Sequence, residues 1–337
     1  MSDRLRPGDI FADRYRIERF IAKGGFGMVY AAEQLDTEAR VALKIIWSHV
    51  LESDAALDQF KQEAKLASRV GSDHVPRVFD VGRDPRSERP YLAIELLDGV
   101  HFEELVRAGG PLPPETLVEY FGQIGRALDR AHRYTDKEGV RRPIVHRDLK
   151  PENLFLTRRD DGAPLVKILD FGLAKMVGDA VTMSGELKGT PLFMAFEQAT
   201  VGPITAQTDI WALGLIAFYL HTGRFYWLAG SSPDSPFTRI FTEVLSAPLE
   251  LPSVRARALS AAVIPSPAFD TWFARCVNRD RSKRFETAGE CVSELSAVLL
   301  DSTPPIARTM ASVAPEAIAA GPAASFESSA GNDSLAR

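Results

Sequence analysis

Only two cysteines occur in the 337 residues, Cys276 and Cys291. Far apart in helix-like sequence, they make neither a disulfide framework nor a zinc site, and two reduced, buried thiols are expected. Long apolar runs are also missing. The longest, Ile210 to Leu220, is closed off by Asp209 and His221, well short of the ~20 residues that span a bilayer. The opening MSDRLRPGD has no apolar stretch behind its charges, so no signal peptide is expected there. Nor is there an excess of positive charge: 40 Lys and Arg stand against 45 Asp and Glu, a net charge of −5. A dedicated nucleic-acid binder normally shows a strong basic excess. These absences lead to the expectation of a soluble, cytoplasmic chain with no membrane and no nucleic-acid partner.

What is present is an ordinary globular composition, 45% hydrophobic and 25% charged, in a length that suits one large domain or two average ones. Strand signals come first. Tyr15–Ile21 alternates loosely, a glycine cluster follows, and Met28–Glu33 reads as a strand. Val41–Ile46 alternates cleanly, with Ala42, Lys44 and Ile46 on one face. Residues 52–70 read as a helix with Phe60, Glu63, Ala67 and Val70 on one face. Tyr91–Glu95 is a further strand, running into the turn Leu97-Asp98-Gly99. Beyond it the pattern is mainly helical. Thr116–His132 is amphipathic, and 209–221 is so apolar that a central, buried helix is predicted. Residues 268–277 and 287–300 read as the last two helices. From about 301 onward Ala, Ser, Pro and Gly dominate, too little apolar bulk to offset the entropy of ordering, and disorder is predicted.

A small strand-rich part therefore precedes a larger helical part, and the motifs that carry chemistry fall at their junction. The first is Ala22-Lys23-Gly24-Gly25-Phe26-Gly27-Met28-Val29 between two strands. Glycines there let backbone N–H groups approach phosphates, although a plain hairpin turn has the same look. In the next strand Lys44 shares a face with the small Ala42; it suits a phosphate, or is a surface lysine. Glu63 sits on the apolar face of its helix. A carboxylate turned inward needs a partner, for which Lys44 is the candidate, or it reaches out to water. The most specific signal is His146-Arg147-Asp148-Leu149-Lys150-Pro151-Glu152-Asn153 followed by Asp170-Phe171-Gly172.

In this order and after Lys44 and Glu63, those motifs resemble the eukaryotic-type protein kinase superfamily, specifically its bacterial serine/threonine branch, over roughly residues 15–299. The resemblance implies an α+β, two-lobed fold: a small lobe (15–97) with an antiparallel sheet and one helix, and a large, mainly helical lobe (98–299). An N-terminal extension (1–14) and the tail (300–337) flank it. It implies Mg-ATP as phosphoryl donor and Ser/Thr hydroxyls of proteins as acceptors. Asp148 resembles the catalytic base, and Asn153 and Asp170 resemble the Mg²⁺ ligands. Lys44 resembles the lysine on the α- and β-phosphates, held by Glu63. Residues Ile21 to Val29 resemble the loop over the phosphates. Glu95 and Leu97 fall where the family's hinge bonds adenine through its backbone, behind Ile94 as gatekeeper. Ala42, Val29 and Phe155 would sandwich the ring. Lys150, and Thr190 in Gly189-Thr190-Pro191, match the serine/threonine pattern.

Glu197 and Arg284 resemble the family's buried ion pair, and Asp209 the aspartate that anchors the catalytic loop. Thr182 and Ser184 are the candidate phosphosites, read by Arg147 through charge-assisted hydrogen bonds. Autophosphorylation in trans would involve self-association. Three features depart from the pattern: Ala22 replaces the first loop glycine, Phe196 replaces the proline before Glu197, and residues 133–143 lengthen the link into the catalytic loop. A nucleotide-binding scaffold without transfer would be expected to lack Lys44, Asp148, Asn153 or Asp170, and all four are present. A small-molecule kinase generally lacks the segment 189–197 and its late arginine.

Overall fold

Period-two alternation in the first part of the chain builds a sheet with two buried faces. The computed structural model describes residues 4–24, 27–48, 54–171, 191–231 and 237–301, all within a unit from Met1 to Ser302. The tail from 302 on, predicted to be disordered, lies outside the described residues. Strands β1 (Ile10–Phe11), β2 (Tyr15–Gly24), β3 (Gly27–Gln34), β4 (Arg40–Ile46), β5 (Val78–Arg83) and β6 (Pro90–Glu95) pair antiparallel in the order β1-β2-β3-β4-β6-β5. Helix α1 (Asp54–Arg69) lies between β4 and β5 in sequence.

In β4, Val41, Leu43 and Ile45 enter a cluster with Phe11, Tyr15, Ile17, Tyr30 and Tyr91. The alternate residue Ile46 packs instead with Leu92 of β6 and with Leu57, Phe60 and Ala64 of α1. This alternation puts Lys44 on the α1 side of the sheet, beside Val29 and Leu92. At Gly27 a Cβ would stand 2.0 Å from the Ile45 carbonyl oxygen, so the approach of β3 to β4 itself requires glycine. The sheet begins before Tyr15. Gly8 N–H donates to Ile17 O at 2.8 Å, and Ala12 N–H donates to Asp84 Oδ1 at 3.0 Å. The Tyr15 and Tyr91 hydroxyls both donate to Asp80 Oδ2 at 2.9 Å.

The second part is mainly helical, with a small sheet of β7 (Val100–His101), β8 (Leu154–Arg158) and β9 (Pro164–Ile168) in that order. Its helices are α2 (Phe102–Gly109), α3 (Pro114–His132), α4 (Phe196–Ala199), α5 (Ala206–Thr222), α6 (Phe237–Ser246), α7 (Pro252–Ala258), α8 (Pro267–Cys276) and α9 (Ala288–Asp301). The fold is thus the expected two-lobed one, and α5 is its axis. Every residue from Thr208 to Thr222 is buried, and Gly223 closes the helix with φ 71°. An apolar surface all round can only be satisfied in the core. Helices α3, α8 and α9 pack against it. Residues 133–143 form a surface loop bridged by Thr135 and Arg141, with Asp136 accepting the Glu138 and Val140 N–H groups. Cys276 and Cys291, distant in sequence, meet in the core at 3.5 Å as free, buried thiols. Burial pushes the Cys276 thiol up, which leaves it inert. Among the described residues no helix is long and apolar enough to cross a membrane.

One buried ion pair joins α4 to the approach to α9. Arg284 meets Glu197 with two parallel bonds of 2.8 Å, the side chains 0% and 7% exposed. Burying both charges costs more than their attraction returns unless the remaining donors are satisfied. Here Arg284 also donates to Asn278 O and Gln207 O, Thr208 Oγ1 donates to Glu197, and the guanidinium lies 4.9 Å from the Trp211 ring centroid.

Removing one partner strands the other, so Arg284→Ala is expected to lower unfolding free energy by ~3–5 kcal/mol in urea denaturation. Acid acts on the same bolts. Burial works to raise the carboxyls of Glu197 and Asp209. Arg284 nevertheless holds Glu197 below its ordinary 4.5, and His132 and His146 hold Asp209 below 3.8. In acid the unfolded chain therefore binds more protons than the fold. Their stabilisation is complete above about pH 5 and is lost as pH falls through the lowered values. The urea midpoint should fall from about pH 7 to about pH 3.5, less steeply in Glu197→Gln; a flat wild-type profile would refute this.

Candidate active site

The loop between α3 and β8 is shaped by one carboxylate. Asp209, in the first turn of α5 and 1% exposed, accepts three bonds. They come from the N–H groups of His146 at 2.9 Å and Arg147 at 3.0 Å, and from His132 Nε2 at 2.8 Å. Held this way, Arg147 takes φ 72°, a left-handed conformation that costs a non-glycine residue energy and persists only where its surroundings impose it. Asp170 is likewise left-handed, with φ 55°.

These constraints aim the polar side chains at one place. Lys150 Nζ donates to Asp148 Oδ2 at 2.8 Å. Asn153 Nδ2 donates to the same oxygen at 3.0 Å and to Asp148 O at 2.7 Å. Leu169 N–H donates to Asn153 O at 2.8 Å, which places Asp170 beside this group. Across the junction of the lobes, Lys44 Nζ contacts Asp170 Oδ1 at 2.6 Å. Lys44, Asp148, Lys150, Asn153 and Asp170, spread over more than a hundred positions, thus form one connected cluster. The charges answer to one another. Burial works to raise the Asp170 carboxyl, but Lys44, with His146 and Lys150, holds it below 3.8. Burial works against the Lys150 ammonium, but Asp148, Glu152 and Asp170 push it above 10.5.

The residues expected around a nucleotide line the sheet above this cluster. Ile21, Ala22, Lys23 and Gly24 end β2 in exposed positions, Ala22 opposite Val29. Gly25 and Phe26 lie outside the described residues. Met28 turns away from the site into the aromatic cluster on the other side of the sheet. Val29 and Ala42 are half-buried and buried respectively, Ala42 pairing with Ile94 across β4 and β6. Phe155, on β8 with its ring against His101, approaches from the large lobe. Glu95 and Leu97 follow Ile94 in the connection between the lobes, both half-buried. The side chain of Glu63, and with it the expected Lys44–Glu63 pair, lies outside the described residues, as do Gly172, Thr182, Ser184 and Thr190.

Two contributors escaped the sequence reading. Lys167 of β9, 7% exposed at its side chain, bonds both carboxylate oxygens of Glu95 at 2.9 and 2.8 Å and so ties the connection to the large lobe. Alternation in β9 could have flagged a lysine among Val166 and Ile168. Gln198 of α4 donates to Arg147 O at 2.7 Å, a contact with no local sequence signal. Phe196, already marked in the sequence as the replacement for proline, lies 5.8 Å under the Arg279 guanidinium. Arg279 in turn donates to Val244 O and Ala247 O at the end of α6, so the added ring links α4 to α6.

The sequence pattern of the protein kinase domain family matches residues 15–294. The serine/threonine-protein kinase Pkn1 of Myxococcus xanthus is 38% identical over 212 residues, 62% of this chain and 29% of that protein. The serine/threonine-protein kinase pkn3 of the same organism is 31% identical over 296 residues, 86% of this chain and 51% of that protein. The chain thus spans between 29% and 51% of these relatives' length. The PknI kinase domain of Mycobacterium tuberculosis has the same fold, with a TM-score of 0.62 at 22% identity over 87% of this chain and 98% of that one. The chain therefore belongs to the eukaryotic-type protein kinase superfamily, in its bacterial serine/threonine branch.

Proposed function

We propose that the chain is a serine/threonine protein kinase that transfers the γ-phosphoryl group of Mg-ATP to Ser/Thr hydroxyls of proteins. The observation that carries this reading is the connected cluster, with Lys44 on Asp170 at 2.6 Å and Asn153 on Asp148 at 3.0 Å. Asp148 accepts the proton of the acceptor hydroxyl. Its carboxylate is oriented by Lys150 and Asn153, so little reorganisation is needed when the hydroxyl arrives. Lys150 balances negative charge next to that carboxylate, and its presence favours serine and threonine acceptors. Lys44 holds the α- and β-phosphates, with Glu63 as its expected second partner.

The donor set fits magnesium. Asn153 spends its Nδ2 on Asp148, so its Oδ1 is the atom left to ligate. Asp170 adds a carboxylate kept ionised by Lys44. Two hard oxygen ligands suit an ion that takes its remaining ligands from phosphates and water. When bound, the ion neutralises charge on the phosphates. Adenine would lie between Val29 and Ala42 above and Phe155 below, bonded by the backbone of Glu95 and Leu97. The turn from Ile21 to Val29, including Ala22, Lys23, Gly24, Gly25, Phe26, Gly27 and Met28, would cover the phosphates. Thr182 and Ser184 are proposed autophosphorylation sites, modified in trans between two copies, with Arg147 as the reader of the phosphate.

Purified chain incubated with labelled ATP, Mg²⁺ and casein or myelin basic protein should place label on serine and threonine. Asp148→Asn should cut the rate by ~10²–10⁴-fold, the usual range for a lost general base, and Lys44→Met should abolish most transfer as well. A wild-type chain that leaves both acceptors unlabelled would overturn the reading. Mass spectrometry after incubation with Mg-ATP and no acceptor protein should find phosphate within residues 176–188, and the double variant Thr182→Ala, Ser184→Ala should be less active. Full activity in that variant would remove the regulatory role.

A further inference from the structure

The side chain of Gln198 does two things at once. Its Oε1 accepts the Ala195 N–H at 2.9 Å, which closes the first turn of α4. Its Nε2 donates to the Arg147 carbonyl at 2.7 Å. The second contact leaves α4 and reaches the residue immediately before Asp148. The backbone there is held on every side. Arg147 N–H goes to Asp209 at 3.0 Å, Arg147 O receives Gln198, and Asp148 N–H goes to His146 Nδ1 at 3.3 Å. The peptide joining Arg147 to Asp148 is the one from which the Asp148 carboxylate hangs. Its left-handed predecessor, φ 72° at Arg147, relaxes unless such contacts over-determine it.

Gln198 is itself firmly seated. Its neighbour Glu197 is bound to Arg284 by the doubled 2.8 Å contact and to Thr208 at 2.7 Å. A rigid turn, anchored in the core, thus presents one amide donor to the loop that carries the acid–base carboxylate.

We infer that Gln198 is a positioning residue: through the Arg147 carbonyl it sets the direction of Asp148, and it transmits the placement of the segment ending in Glu197 to the reacting groups. This rests on the phosphotransferase reading above. A loose peptide at Arg147 lets the Asp148 carboxylate swing away from the line of the acceptor hydroxyl. Nucleotide contacts from Lys44 and the lobe connection are untouched, so the damage falls on turnover and not on ATP binding.

Gln198→Glu separates the two roles. It keeps an oxygen for the Ala195 N–H, so the turn stays capped, but it turns a second oxygen on the Arg147 carbonyl. Gln198→Met, neutral and of similar length, loses both contacts and serves if the glutamate variant does not fold. Steady-state kinetics with ATP and casein should show kcat reduced between ~10- and ~100-fold in both variants, the scale of a misaligned reacting group, with KM for ATP within about twofold. Amide exchange read by mass spectrometry should speed up over residues 146–149 in both. If Gln198→Glu keeps wild-type kcat while only Gln198→Met suffers, Gln198 merely caps α4 and the inference falls. A loss confined to KM also overturns it. If the wild-type chain transfers no phosphate, the functional reading fails separately, and exchange alone decides: faster exchange at 146–149 in Gln198→Glu supports the positioning role, and unchanged exchange refutes it.

Discussion

A single carboxylate, that of Asp209, sits where the central helix meets the loop that carries Asp148. Buried to 1% exposure, it would be costly without partners, and it has three: the His146 and Arg147 N–H groups and His132 Nε2. The exchange is mutual. The donors keep the charge ionised in the core, and the charge forces two successive peptides to point inward, which imposes the left-handed turn at Arg147. Each member of the polar cluster is reached from that turn: Asp148 directly, Lys150 and Asn153 through Asp148, Asp170 through Asn153 and Leu169, and Lys44 through Asp170.

Among the described contacts that cross between the lobes, two are ion pairs with nearly buried lysines. Lys44 on β4 meets Asp170 on the segment after β9, and Glu95 at the end of β6 meets Lys167 within β9. Both lysines are nearly buried, with side-chain exposures of 12% and 7%, so neither contact is the weak, screened kind found between exposed side chains. They attach two neighbouring strands of the small-lobe sheet to one short stretch of the large lobe, Lys167 to Asp170.

Much of this architecture could be read before any coordinates. The alternation in Val41–Ile46 put Ala42, Lys44 and Ile46 on one face, because strand period two leaves only two faces to choose from, and the structure turns that face toward α1. The all-apolar stretch around Trp211 could only be a core helix. Short elements escaped, among them β1, β5 and the β7–β9 sheet, since two to six residues hold too few periods for a pattern to emerge. Gly27 was read as giving backbone access to phosphate, yet the structure shows a second demand on it, the 2.0 Å approach of its missing Cβ to Ile45 O. The cysteines were correctly expected to be reduced and buried, but their meeting across α8 and α9 depends on how the two helices cross.

The amino-acid sequence by itself determined which chemistry the chain carries and in what order. The residue types and spacing from His146 to Asn153 and from Asp170 to Phe171 are local, and so are the strand and helix periods around them. Only the tertiary structure decided the partners. That Asp170 receives Lys44, that Glu95 receives Lys167, and that Gln198 rather than some other α4 side chain reaches Arg147 O all depend on separations of 126, 72 and 51 positions. Contacts at such range follow from the packing of whole elements around α5. A hydrogen bond forms only when donor and acceptor come within about 3 Å in the right direction, a condition no local pattern can express.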